Sequence, residues 1–180
     1  MGIPTLISTA TADDDTALNI TSGIDSTYDE YMLVGINLDH DTDMATVLFQ
    51  GSIDGGSNYN VAMTTTAFND YHHEDGSSYE LAYWPAADLA QGTGYLRLVA
   101  AQNTDAADKS ACFIMNLFSP SNTTYVKHFY AYGLVKSQTP GVYNHRSAGY
   151  FNTTSAIDAL SFKPSSGNIV AGIIQLYGIS

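Results

Sequence analysis

Apolar residues in this chain recur at every second position and almost nowhere at every third or fourth. In residues 31–38, YMLVGINL, the set Met32, Val34, Ile36 and Leu38 falls on one side of an extended chain, the pattern of a half-buried strand. Comparable segments are expected at 45–51, 59–66, 77–83, 95–101, 110–118, 125–135, 142–151, 157–162 and 169–178, with a shorter one at 18–21. Turn-forming clusters separate them: DGGSN after Ile53, HEDGSS before Tyr79, QGTG before Tyr95, SPSN after Phe118, QTPG before Val142 and PSSGN before Ile169. The best candidate for helix is one turn at PAADLA, where Pro85 suits a first helical position. Many short strands with polar turns predict an all-β fold, a two-sheet antiparallel β-sandwich of jelly-roll type. Residues 17–180 are expected to form it as a single domain, and residues 1–16 to be an extended N-terminal arm.

Charge narrows the function classes. The chain has 180 residues and a formal net charge of −12, and all 6 of its basic side chains lie in the second half, whereas 15 of its 18 acids lie in residues 1–90. Binding to nucleic acid requires clustered cations, so that class is excluded as an expectation. Charged residues make up 13% of the chain, about half the usual share, so its surface must be largely Ser, Thr, Asn, Gly and Tyr. That composition leaves room for contact between copies of the chain. No apolar stretch approaches the ~20 residues of a membrane span, and no basic segment followed by an apolar run opens the sequence, so neither membrane insertion nor a signal peptide is expected. Cys112, the single cysteine, lies in the apolar run SACFIMNLF and reads as a buried thiol.

The sequence has no G-x-S-x-G elbow, no P-loop, no G-x-G-x-x-G after a strand and no H-E-x-x-H motif, and no catalytic residue is assigned. Asp39, Asp41 and Asp43 alternate as calcium ligands can, but the sixth position from Asp39 is Met44 and the twelfth is Gln50, where a helical calcium loop needs Gly and Glu. They read instead as a solvated turn. In YHHED, residues 71–75, the neighbouring His72 and His73 point to opposite sides of an extended chain and do not share an ion. Neither a metal site nor a cofactor is expected.

Aromatic residues supply the candidate binding surface. Tyr79, Tyr83 and Trp84 in SYELAYWP, with Tyr143, His145, Arg146 and Tyr150 in VYNHRSAGYF, combine rings with hydrogen-bonding groups in the way that sugars or protein surfaces are gripped. Packing of the same rings between sheets or subunits is the competing reading. The segment QGSIDGGSNYNV, residues 50–61, is read as a hairpin turn with Asp54 as turn former and glycines at positive φ.

Several segments together carry a resemblance: LISTATA, ITSGIDSTYDEYML, LFQGSIDGGSNYNVAMTTT, NLFSPSNTTYVKHFYA, GYFNTTSAIDALSFKPSSGNI and AGIIQLYGIS. Over nearly the whole chain, the sequence resembles a family of small virion structural proteins of tailed bacteriophages common among aquatic and marine phages. The resemblance implies a non-enzymatic β-sandwich building block located in the virion, in a tail fibre or appendage or as a capsid decoration. The implied partners are copies of itself, as a homotrimer, and other virion proteins. A carbohydrate- or receptor-binding, lectin-like module for host attachment is the alternative.

Overall fold

The structure is a computed structural model and describes residues 2–100, 110–137 and 140–180. Thirteen strands follow one another among the described residues: β1 (Pro4–Thr11), β2 (Leu18–Ile20), β3 (Glu30–His40), β4 (Val47–Ser52), β5 (Met63–His73), β6 (Tyr79–Tyr83), β7 (Ala90–Gly92), β8 (Leu96–Arg97), β9 (Ala111–Phe118), β10 (Lys127–Lys136), β11 (Gly141–Phe151), β12 (Ala159–Pro164) and β13 (Ile169–Ile179). A single 3-10 turn at Pro85–Ala87 stands where the sequence suggested helix. The strands form two antiparallel sheets packed face to face. The large sheet has nine strands in the order β1-β13-β3-β9-β10-β11-β5-β6, with β7 also on β5, and the small sheet runs β2-β12-β4-β8.

The sandwich is as the alternating pattern predicts, but the strand order gives no support to a jelly roll. That fold divides eight strands between two sheets. Here β9, β10 and β11 form a meander inside one sheet, which is eight strands wide against four in the other. The N-terminal segment is part of that sheet: β1 pairs with β13 along its length and forms the sheet edge.

Five phenylalanines fill the space between the sheets. Phe49 and Phe162 of the small sheet meet Phe113, Phe129 and Phe151 of the large one, with Phe49 5.1 Å from Phe129 in an edge-on contact and Phe113 stacked 5.4 Å from Phe162. All five are essentially buried. Gly35 lies beneath the Phe113 ring, where a Cβ would occupy the ring's own space. Tyr31 is fully buried as well, and its hydroxyl is tied to Asp25 by a bond to the carbonyl oxygen and one to the carboxylate, each 3.0 Å.

The face of β3 that enters the core differs from the expected one. Tyr31, Leu33 and Gly35 point inward, while Met32, Val34 and Ile36 lie half-buried on the other side. A bulge between Gly35 and Leu38, with Asn37 at φ 52°, then shifts the alternation so that Leu38 and His40 are buried. The segment is apolar in both phases, and a glycine that accepts a ring does not advertise itself as a core position.

The DGGSN segment is a connection between sheets, since β4 belongs to the small sheet and β5, which begins at Met63 rather than at 59, belongs to the large one. It is therefore not a hairpin. Its turn chemistry is nonetheless the expected one. Gly55 and Gly56 have φ 69° and 85°, and Asp54 accepts from the Ser52 hydroxyl at 2.7 Å, the Asn58 amide N–H at 2.9 Å and the Asn58 side chain at 2.7 Å. Those donors hold the Asp54 carboxyl at about 2, the Asn58 side chain contributing most. Of the strand expected at 95–101 only Leu96–Arg97 forms, its last residue lying outside the described ones. The QTPG turn likewise falls partly outside them.

Candidate functional site

Only one face of the nine-stranded sheet is covered by the small sheet. Across the other face, the pairing registers set rows of side chains side by side. One row runs Val34, Ile114, Tyr132, Arg146, Phe68, Tyr83, and the next carries Cys112, Leu134, Asn144, Asp70 and Leu81. This outer face is apolar yet open to solvent. Leu81 is 70% exposed, Tyr83 53%, Tyr132 and Leu134 each 49%, Ile114 45% and Phe68 43%. Scattered exposed apolar residues are ordinary, whereas here they form a contiguous group on one sheet face.

The relief of this face follows from residue size. Ala148 and Thr66 sit low beside Tyr130, Tyr132 and Phe68, making a shallow trough over β10, β11 and β5 that continues past Gly149 toward Tyr150 and His128. Tyr130 and Tyr132 contact each other at 5.7 Å, and Phe68 packs edge-on against Tyr83 at 5.5 Å. Charge is nearly absent from the centre: Arg146 is 3.4 Å from Asp70, whose carboxylate also accepts from the Asn144 side chain at 3.0 Å.

Of the seven residues proposed as a binding surface, Tyr79 lies on the outer face stacked on His72, and the other six divide between the two faces. Tyr83, Arg146 and Tyr150 lie on the outer face, Tyr83 with its hydroxyl donating to Asp88 and Tyr150 5.8 Å from His128. Trp84, Tyr143 and His145 lie on the inner side, packed against the core. Tyr143 stacks 4.9 Å from Tyr71 and its hydroxyl is 3.3 Å from His73 Nε2. His145 is fully buried beneath Trp84, 5.2 Å away, and the Arg97 guanidinium lies 4.8 Å over the indole. Neither ring nitrogen of His145 has a well-formed hydrogen bond. Burial above all, and then the Arg97 charge, hold His145 down at about 4, against the opposing pull of the Arg97 carbonyl and Asp88. His72 stacks on Tyr79 and His73 lies tilted against Tyr71, on opposite sides of β5, as the extended backbone dictates.

Residues 127–136, KHFYAYGLVK, hold the signal that points to this face. Phe129, Ala131 and Val135 are buried, and Tyr130, Tyr132 and Leu134 occupy the alternate positions in the open. The strand is apolar in both phases, and the fold covers one of them.

Elsewhere the charged groups are engaged locally. Lys127 is buried and donates to the carbonyls of Tyr125 and Thr153, Lys136 is 3.9 Å from Glu74, and Lys163 lies 4.1 Å over the Tyr95 ring. Asp41 accepts from the Asn168 amide and the Thr42 hydroxyl, each at 2.9 Å. Among the described residues, no three His, Cys, Asp or Glu side chains converge on a point that could hold a metal ion, and no helix is long and apolar enough to cross a membrane. No protein-family model, curated protein or solved structure matches the chain.

Proposed function

We propose that this chain is a non-enzymatic structural building block that assembles with copies of itself through the outer face of the large sheet. The observation that carries the reading is the open apolar face around Ile114, Tyr132 and Leu134, each close to half exposed at the centre of a sheet. A second copy is the fitting occupant because the face is close to neutral at its centre. Chains that each carry −12 repel one another, and the acids that repel sit chiefly in the loops, away from the contact. The sequence resemblance suggests the setting, a tailed-phage virion, with the chain in a tail fibre or appendage or on the capsid surface, and a homotrimer as its form. Engagement of a host-surface glycan or receptor is the second reading. The trough beside Tyr130 favours it, since aromatic walls with Thr66 and Arg146 at hand suit a sugar ring.

Light scattering coupled to size exclusion tests the assembly. The wild-type chain is expected to be a multimer, and Ile114→Lys and Tyr132→Ser are each expected to lower its mass while leaving the far-ultraviolet spectrum unchanged. A wild-type monomer across a concentration series would refute the proposal. Retention of a glycan by a Tyr130→Ala variant would remove support from the second reading.

A further inference from the structure

The large sheet ends at β6, whose sequence is YELAY. Its register with β5 is fixed by bonds at both ends, His73 N–H to the Ser78 carbonyl and Trp84 N–H to the Ala67 carbonyl, each 2.9 Å. Antiparallel pairs alternate between bonded and unbonded, so the even-numbered residues 80 and 82 face β5. The N–H and C=O groups of Tyr79, Leu81 and Tyr83 therefore point away from the sheet, and none of these six has a backbone partner among the described residues. Natural edge strands are usually guarded by a proline, a bulge or an outward charge. In β6 the only charged residue is Glu80, whose side chain lies on the inner face within 3.4 Å of the Tyr71 hydroxyl. The outer ladder is Tyr79, Leu81 and Tyr83, at 74%, 70% and 53% exposure.

This edge is complementary to itself. The pattern Tyr-x-Leu-x-Tyr reads the same in both directions about Leu81. Laid antiparallel against its own copy, it places Leu81 opposite Leu81 and each Tyr79 opposite a Tyr83. In that register the three free donors of each copy meet the three free acceptors of the other, and every outward group on the strand is used. Glu80 falls opposite Ala82 of the second copy, so the two carboxylates avoid each other. We infer that β6 is a two-fold contact at which a second copy of this chain continues the large sheet. The inference rests on the self-assembly reading and adds to it a particular edge and symmetry. A three-fold contact through the outer face and a two-fold contact through β6 together give a hexamer when the two axes cross at right angles.

Leu81→Pro and Leu81→Lys test it. The Leu81 N–H points away from β5, so proline there removes one outward donor and leaves the β5–β6 ladder whole. Lysine keeps the backbone groups but sets two like charges across the axis. With the full-length chain under light scattering, the wild type is expected to contain an even number of chains, and each variant to have half its mass. A mass unchanged in both variants overturns the inference, as does a wild type with an odd number of chains. Both results leave the broader assembly reading standing, whereas a wild-type monomer sinks both. An open series of masses rising by one chain at a time also overturns it, because that is the outcome of head-to-tail pairing between β6 and the β1 edge.

Discussion

Acidification should weaken this fold through His145 between pH 6.5 and 4. The ring is fully buried among Trp84, Arg97 and Asp88 and is held at about 4, against 6.5 for an unperturbed imidazole. Its folded-state value is depressed, so the unfolded chain binds the proton more tightly. Stability is therefore fully present above pH 6.5 and falls as the pH drops toward 4. One pKa unit corresponds to about 1.36 kcal/mol, so the displacement amounts to about 3 kcal/mol lost by pH 4. The assay is urea unfolding at closely spaced pH values, followed by the fluorescence of Trp84, the only tryptophan, whose ring touches His145. His145→Phe serves as the reference. It removes two buried nitrogens that lack good partners, so it should cost little at pH 7 and should flatten the pH dependence. Subtracting its curve from the wild type cancels what the two proteins have in common. Parallel curves for the two proteins between pH 6.5 and 4 would refute the reasoning, because they would mean that His145 takes up a proton without disturbing the packing.

Two further outcomes follow from the core and the turns. Phe49→Ala should destabilise the fold by about 3–5 kcal/mol, since the ring is fully buried and touches Phe129, Phe151 and Phe162; a loss below ~1 kcal/mol in urea unfolding would show that the aromatic cluster is not the core's centre. Asp54→Asn should lower the melting temperature at neutral pH by weakening the clamp on the Gly55–Gly56 turn. Because the Asp54 carboxyl is held at about 2 from an ordinary 3.8, that stabilisation is present above pH 3.8 and is lost as the pH falls toward 2. The gap between variant and wild-type melting temperatures should therefore close across that interval, and a gap that stays constant would exclude the charged carboxylate as its source.

Strand positions were legible because alternation is a local signal: residues 110–118 and 142–151 are close to β9 and β11 as found. Sheet membership was not legible. DGGSN has the same turn chemistry whether the flanking strands pair with each other or pass to different sheets, and only the burial of Phe49 against Phe129 reveals the crossing. Facing was legible only where one phase is polar. In β3 both phases are apolar, and the choice fell to Gly35, which makes room for Phe113. For the same reason the candidate site was half visible. Tyr83, Arg146 and Tyr150 could be named as a ring-and-polar cluster, but nothing in the alternation tells on which side of their strands the neighbouring Ile114, Tyr132 and Leu134 lie. They became surface because the covering sheet has four strands and lies on the opposite side.

The distribution of acids connects local folding to assembly. Asp25, Asp41, Asp54 and Asp75 all sit below the ordinary carboxylate range, and in each the largest cause is a hydrogen bond: the side chains of Thr27, Asn58 and Ser77 for Asp25, Asp54 and Asp75, and the Asn168 amide for Asp41. Aspartate is used as a turn former because its carboxylate accepts from residues two to four positions on. A chain made of many short strands needs many such turns, and it accumulates negative charge at the loops as a by-product. The flat face between those loops stays neutral and apolar. Copies can then meet face to face or edge to edge while their charges remain at the rim, in water, where at ~0.1 M salt repulsion decays over about 10 Å. The turn chemistry that orders the strands thus also leaves little beyond the Arg146–Asp70 pair at the centre of the face through which the copies are proposed to join.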